Sequence, residues 1–123
     1  MRIIGGKFKG KSIIFLKSTT TRPLKDSVKE NIFNILNHSN LINLNISQSN
    51  ILDLYSGVGS FGIECISRGS KKVVFVENDK HAIQVINNNL KALSVLEEAK
   101  VVNNKIINFL NTKIKEKFHI FFF

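Results

Sequence analysis

Residues 51–64 read ILDLYSGVGSFGIE, and the fold turns on how this stretch changes character. An apolar run with one acid, Asp53, gives way to Gly57, Gly59 and Gly62 in the spacing G-x-G-x-x-G. A strand that enters such a loop and continues as a helix offers free backbone N–H groups at the helix start. Glycines without a Cβ let a ligand approach that backbone closely. Glu77 lies 20 residues beyond Gly57, at the end of the next apolar run, KVVFVE (72–77). A carboxylate there can accept two hydrogen bonds from ribose hydroxyls, so the spacing predicts a nucleotide-type site.

Outward from this centre, strands alternate with helices. Strands are predicted at 50–55, 72–77, 99–104 and 119–123, and helices at 60–69, 79–93 and 106–114. Such alternation implies right-handed βαβ units and a parallel sheet. The last run, HIFFF (119–123), has the continuous apolar character of a strand covered on both faces. Upstream, residues 1–17 alternate short apolar runs with glycines and lysines, which predicts a hairpin with a basic open face. Pro23 marks a break. Val28, Ile32, Ile35 and Leu36 then form the stripe of an amphipathic helix, with Ser27 and Glu30 spaced as a capping box. Residues 37–49 read as a loop or weak helical tail. Two segments result: a basic 1–49 and a sheet-forming 50–123.

The formal net charge of +9 favours a polyanionic partner. Lysine, asparagine, isoleucine and phenylalanine make up 57 of the 123 residues, and A- and T-rich codons alone would also raise lysine. Distribution separates the two readings. Arg2, Lys7, Lys9, Lys11, Lys17, Arg22, Lys25 and Lys29 fall in the first 30 residues against two acids, Asp26 and Glu30. That clustering points to nucleic-acid contact, with Arg2, Lys7, Lys9, Lys11 and Arg22 as the candidate residues. For Arg22, a plain turn beside Pro23 is the competing reading. Cys65 is the only cysteine, which excludes a disulfide framework; in the helix after the loop it reads as a small core residue. His38, His81 and His119 share no ligand spacing with it, so no metal is expected. No apolar run reaches the length of a membrane span, and neither that nor the N-terminus suggests export; a cytoplasmic protein is expected.

A dinucleotide and S-adenosylmethionine compete for the glycine loop. Asp53 would repel a pyrophosphate and suits the sulfonium and ammonium of S-adenosylmethionine. An NAD(P)-dependent oxidoreductase is therefore the weaker reading.

With these residues assembled, the chain resembles the RsmD-type 16S rRNA guanine-N2 methyltransferases, class I enzymes dependent on S-adenosylmethionine. The resemblance rests on RIIGGKFKGK at the start, TRP-x-x-D-x-V-K-E-x-I-F-N-I-L at 21–36, LDLYSGVGSFGIECISRG at 52–69 and VVFVEND at 73–79. It implies a Rossmann-like α/β sheet preceded by a basic hairpin and helix, with 50–123 as the first half of the cofactor-binding domain. It implies Asp53, Ser56, Gly57 and Gly59 under the methionine portion of the cofactor, Glu77 on the ribose and Asn78 beside the adenine. It implies 16S rRNA or the small ribosomal subunit as partner.

The chain departs from the family's pattern at Leu24 and Ser27. Lys105, next to Asn104, stands where an Asp or Asn commonly meets the adenine edge. The family's D-P-P motif, ending in Phe or Tyr, should follow the fourth strand and is missing. The expectations are a truncated sheet, incomplete after its fourth strand, and no turnover by this chain alone. The strand-four edge would then need a second polypeptide to cover it. A non-catalytic RNA- or cofactor-binding remnant is the alternative.

Overall fold

The computed structural model describes residues 2–14, 26–54 except 39–45, 56–112 and 117–122. Four strands, β1 (Asn50–Leu54), β2 (Lys72–Glu77), β3 (Ala99–Asn103) and β4 (Ile120–Phe122), form a parallel sheet in the order β3-β2-β1-β4. The predicted α/β architecture is present. The chain leaves β1 toward β2 on one side and returns to pair β4 on the other, so the strand order reverses at β1. In open α/β sheets ligands bind outside the carboxyl ends of the strands at such a reversal.

Strand alternation divides the core in two. Ile51, Val73, Phe75 and Ile120 face one side, where α2 (Ser60–Ser67) and α3 (Lys80–Ala92) cover them with Ile63, Ile66, Ile86 and Leu90. Ile3 and Ile13 from the N-terminal segment and Phe33 from α1 (Asp26–His38) complete the same cluster. Leu52, Leu54, Val74 and Val76 face the other side, against Ile106 and Phe109 of the short α4 (Ile106–Leu110) and against Phe118. The third glycine of the loop serves this packing: a Cβ on Gly62 would lie 2.2 Å from the Phe75 ring, so only glycine lets α2 rest on β2. In β4, Phe122 stacks on Phe61 at 3.9 Å between centroids, while Phe121 points away and is 57% exposed.

Several elements differ from expectation. The hairpin of 1–17 is reduced, among the described residues, to one antiparallel bridge between Arg2 and Ser12. The two arms still bond across the turn, Ile3 N–H to the Lys11 carbonyl at 2.9 Å and Gly10 N–H to the Ile3 carbonyl at 2.8 Å, and the segment bonds to α2 besides. Helix α1 begins at Asp26, which places Ser27 in its first turn and not at its cap. The start of α3 is capped clearly, since the Asp79 carboxylate accepts the N–H of His81 and Ala82. A short 3-10 turn at Leu96–Glu98 precedes β3, and α4 ends at Leu110 instead of 114.

Candidate functional site

The loop between β1 and α2 is closed by its own backbone. Gly59 donates to the Ser56 carbonyl at 2.8 Å, and the Ser56 hydroxyl donates to the Asp53 carbonyl at 2.6 Å. Gly57 and Gly59 both have positive φ, 56° and 84°, and Gly59 is the residue from which α2 starts. The Gly57 N–H donates to Glu77 Oε1 at 2.8 Å. Glu77 Oε2 accepts the N–H groups of Asn78 and Asp79, both at 3.0 Å. Three backbone donors thus hold one carboxylate at the tip of β2 and tie it to the loop after β1. The 20-residue spacing read from the sequence becomes a direct bond.

Glu77 opens onto a cleft of about 250 Å³, lined also by Val76, Asn78, Asn104, Lys105, Ile106 and Ile107. Val76 and the two isoleucines supply apolar walls, and Asn78 and Asn104 supply amides. Lys105, which departs from the family's pattern, lies in this cleft with Asn104 beside it. The cleft thus combines apolar walls with two amides, a lysine and a carboxylate held in place by the backbone. Ile106 and Ile107 belong to this site yet carry no sequence signal beyond following a strand.

Asp53 sits elsewhere. It is 2% exposed, on the sheet face beneath α2, and its Oδ2 accepts the Gly62 N–H at 3.1 Å. Burial pushes its carboxyl up to about 8; the Gly62 N–H pulls the other way, and the charge of Glu77 adds to the rise. At this depth Asp53 acts first on the loop, holding the start of α2. Burial likewise pushes the Cys65 thiol well above its usual range, with Asp53 and Glu64 adding to the effect, as suits a core residue.

A second polar cluster among the described residues joins groups from three of the sequence motifs, a pairing that the motifs themselves do not show. Glu64, on α2, is fully buried beside the equally buried Lys29 of α1, with 3.4 Å between Lys29 Nζ and Glu64 Oε1. Its Oε1 also accepts the Ile4 N–H, and its Oε2 accepts the Gly5 N–H and the Arg68 Nε–H, all at 2.9 Å. Lys29 donates further to the Arg2 carbonyl at 2.9 Å, and Arg68 lies over the Phe33 ring at 4.4 Å. One acid in an otherwise small and apolar helix, SFGIECIS, is the available signal. Lys29 therefore drops out of the basic residues open to a polyanion. Arg2, Lys7, Lys9 and Lys11 are exposed, and Arg22 lies outside the described residues.

A parallel four-stranded sheet with a glycine loop after β1, tied to an acid at the tip of β2, is a Rossmann-like arrangement, and the solved structures it superposes on make it the class I methyltransferase form of that fold. Similarity to known proteins makes this specific. The family described as Conserved hypothetical protein 95 matches residues 1–123, and the chain belongs to this family, the RsmD family. It is 40% identical to the Ribosomal RNA small subunit methyltransferase D of Haemophilus influenzae over 111 residues, 89% of this chain and 54% of that protein. The protein of the same name from Escherichia coli K12 is 33% identical over 113 residues, 92% of this chain and 54% of that protein. Among solved structures, an Escherichia coli protein named as a methyltransferase, yhhF, superposes with a TM-score of 0.78 at 31% identity, covering 92% of this chain and 57% of that one. A Haemophilus influenzae structure named as a methylase gives 0.72 at 32% identity, covering 98% of this chain and 61% of that one. The chain spans about half the length of these two curated relatives. The relatives are rRNA methyltransferases by name, and no described helix is long and apolar enough to cross a membrane.

Proposed function

We propose that this chain binds S-adenosylmethionine and belongs to the machinery that methylates the exocyclic N2 of a guanine in 16S rRNA, in the cytoplasm. The observation that carries the reading is Glu77, fixed by three backbone N–H groups at the mouth of an adenosine-sized cleft. Glu77 would hold the ribose hydroxyls, Asn78 and Asn104 would edge the adenine, and Val76 and Ile106 would cover its faces. Ser56, Gly57 and Gly59 would line the methionine side, with Asp53 holding that loop from below. When bound, the cofactor supplies an electrophilic methyl on a sulfonium, so the transfer is a direct displacement needing no metal. The chain's part is to hold and orient the donor, with Glu77 on the ribose and the glycine loop on the methionine side.

Displacement by a guanine amine also needs acceptors for the amine's hydrogens and a surface on which the base stacks. The chain's only proline is Pro23, so these 123 residues hold no D-P-P motif for that task. A polypeptide of these residues is accordingly expected to bind cofactor without turnover, and the reading as a cofactor- or RNA-binding remnant stays the second one. A further polypeptide segment against β4 would complete the sheet.

Titration calorimetry with S-adenosylhomocysteine and, separately, NADH tests the cofactor. Binding of the first and not the second is expected, and Glu77→Gln should weaken it by about 10–100-fold, the worth of a charge-assisted hydrogen bond. Preference for NADH would overturn the reading. Methyl incorporation into unmethylated small subunits by the 123-residue chain would overturn the expected lack of turnover.

A further inference from the structure

The two ends of the sheet carry different chemistry. The cofactor cleft lies at the carboxyl ends of β2 and β3. Helix α2 runs from that end back to the start of β2, so its last turn lies at the opposite end. The basic N-terminal turn is fastened there. Lys7 donates its N–H to the Ser67 carbonyl at 2.8 Å, Phe8 donates to the Ser67 hydroxyl at 3.0 Å, and that hydroxyl donates to the Gly5 carbonyl at 2.6 Å. Gly6 makes the fit possible: its φ is +79°, and a Cβ there would lie 2.0 Å from the Ser67 carbonyl oxygen.

Backbone bonds extend this end sideways along the sheet. Lys71 donates to the Ser49 carbonyl at 2.8 Å, next to the start of β1, and Lys72 begins β2. The Asn50 side-chain amide Nδ2 donates to the Lys117 carbonyl at 3.2 Å, just before β4. Lys7, Lys9, Lys11, Lys71, Lys72 and Lys117 are all exposed on this end. Within residues 2–14, 46–54, 56–72 and 117–122 the only acids are Asp53 and Glu64, and both are buried. The acids that reach solvent at this end, Glu97 and Glu98, come from the turn before β3, where Glu98 stands next to Lys72 across the β2–β3 pairing; the described segments that carry Lys7, Lys9, Lys11, Lys71 and Lys117 bring none. Phe8 lies among the lysines, with Lys7 Nζ at 5.0 Å and Lys11 Nζ at 5.7 Å from its ring centre.

We infer that the amino-end face of the sheet, formed by the Gly6–Gly10 turn together with Lys71, Lys72 and Lys117, is a docking surface for the phosphate backbone of a folded RNA. The partner class rests on the rRNA-methylation reading; the surface itself rests on the placement of these lysines. Its place has a consequence for how RNA lies on the protein. The six residues of β2 span roughly 20 Å at about 3.3 Å per residue, so this face stands that far from the cofactor cleft. It cannot touch the nucleotide that reaches the methyl group. It holds a distant part of the same RNA and contributes affinity and orientation without reading bases.

The test is RNA binding by the 123-residue chain across a salt series, with protein-free 16S rRNA as probe. The unmodified chain is compared with a variant carrying Lys7→Gln, Lys9→Gln, Lys71→Gln and Lys72→Gln. The slope of log affinity against log salt should fall by roughly 3, at about 0.7–0.9 for each phosphate no longer neutralised. Lys80→Gln, at the start of α3 on the cofactor side, should leave the slope unchanged, short of the roughly 0.7–0.9 that loss of one phosphate contact would give. Circular dichroism checks that the quadruple variant is folded. S-adenosylhomocysteine binding is read in parallel, so a failure of the cofactor reading is seen separately from a failure of the surface. An unchanged slope in the folded variant would overturn the inference, as would absence of salt-dependent RNA binding by the unmodified chain. A variant that no longer binds acidic lipid vesicles but keeps its RNA binding would assign the face to a membrane surface and overturn it too.

Discussion

Asp53 and Glu64 are buried carboxylates that touch the same short helix from different sides, and their surroundings differ sharply. Glu64 is met by two backbone N–H groups and two cationic side chains. Asp53 is met by a single N–H, from Gly62. The first carboxylate fastens the N-terminal segment and α1 to α2, and its charge is answered on every side. The second lies under the glycine loop with its charge largely unanswered, and burial pushes its carboxyl up to about 8. A fully paired charge acts as a fixed joint between segments distant in sequence, whereas an under-paired one leaves a protonation equilibrium near neutral pH.

Removing the joint should have the largest effect. Glu64→Gln keeps the shape, but it leaves Lys29 buried without a counter-charge and turns one acceptor into a donor facing Gly5 and Arg68. A loss of about 3–5 kcal/mol is expected in denaturant unfolding. A loss below about 1 kcal/mol would show that the cluster is not what holds the segment.

Asp53 sharpens the comparison through pH. Its carboxyl ionises near 3.8 ordinarily and near 8 in the folded chain, so the folded state binds the extra proton between those values. The contribution is fully present below about 4 and is lost as pH rises through about 8, with a slope of at most about 1.4 kcal/mol per pH unit. Asp53→Asn still accepts from Gly62 and cannot ionise. Its unfolding free energy should lack that downward slope, and an unaltered slope in the variant would place the titrating group elsewhere.

The smallest effect concerns the other fastening of the N-terminal segment. The Asn89 side chain accepts the Ile14 N–H at 2.9 Å and donates to the Ile14 carbonyl at 3.0 Å. Asn89→Ala should cost about 1–2 kcal/mol, since neutral hydrogen bonds are removed and no charge is stranded. Hydrogen exchange at Ile14 should rise while that at Ile4 stays slow. Equal loosening at both would mean that the segment detaches as one unit, without two independent joints.

Much of this was legible in the sequence, because the governing interactions are local or periodic. The four strands follow from apolar runs, the helix starting at Ser60 from the glycine loop, and the Glu77 site from a carboxylate one βαβ unit after Gly57. The resemblance to RsmD-type enzymes was carried by contiguous motifs, and residues 1–123 match that family. The cleft's apolar wall was not legible: Ile106 and Ile107 are ordinary helix residues until the β3–α4 turn brings them over Glu77.

Charge was the property the sequence read least well. Composition counted Lys29 among the residues facing a polyanion, and Glu64 as one more helix residue. Their pairing joins positions 35 residues apart, and Glu64 reaches Ile4 across 60. Sequence determined which segments are strands and helices, because backbone geometry and hydrophobic periodicity act within a few residues. Only the tertiary structure decided which charges are buried as joints and which face solvent, because a charge takes its energy from whatever the fold places beside it.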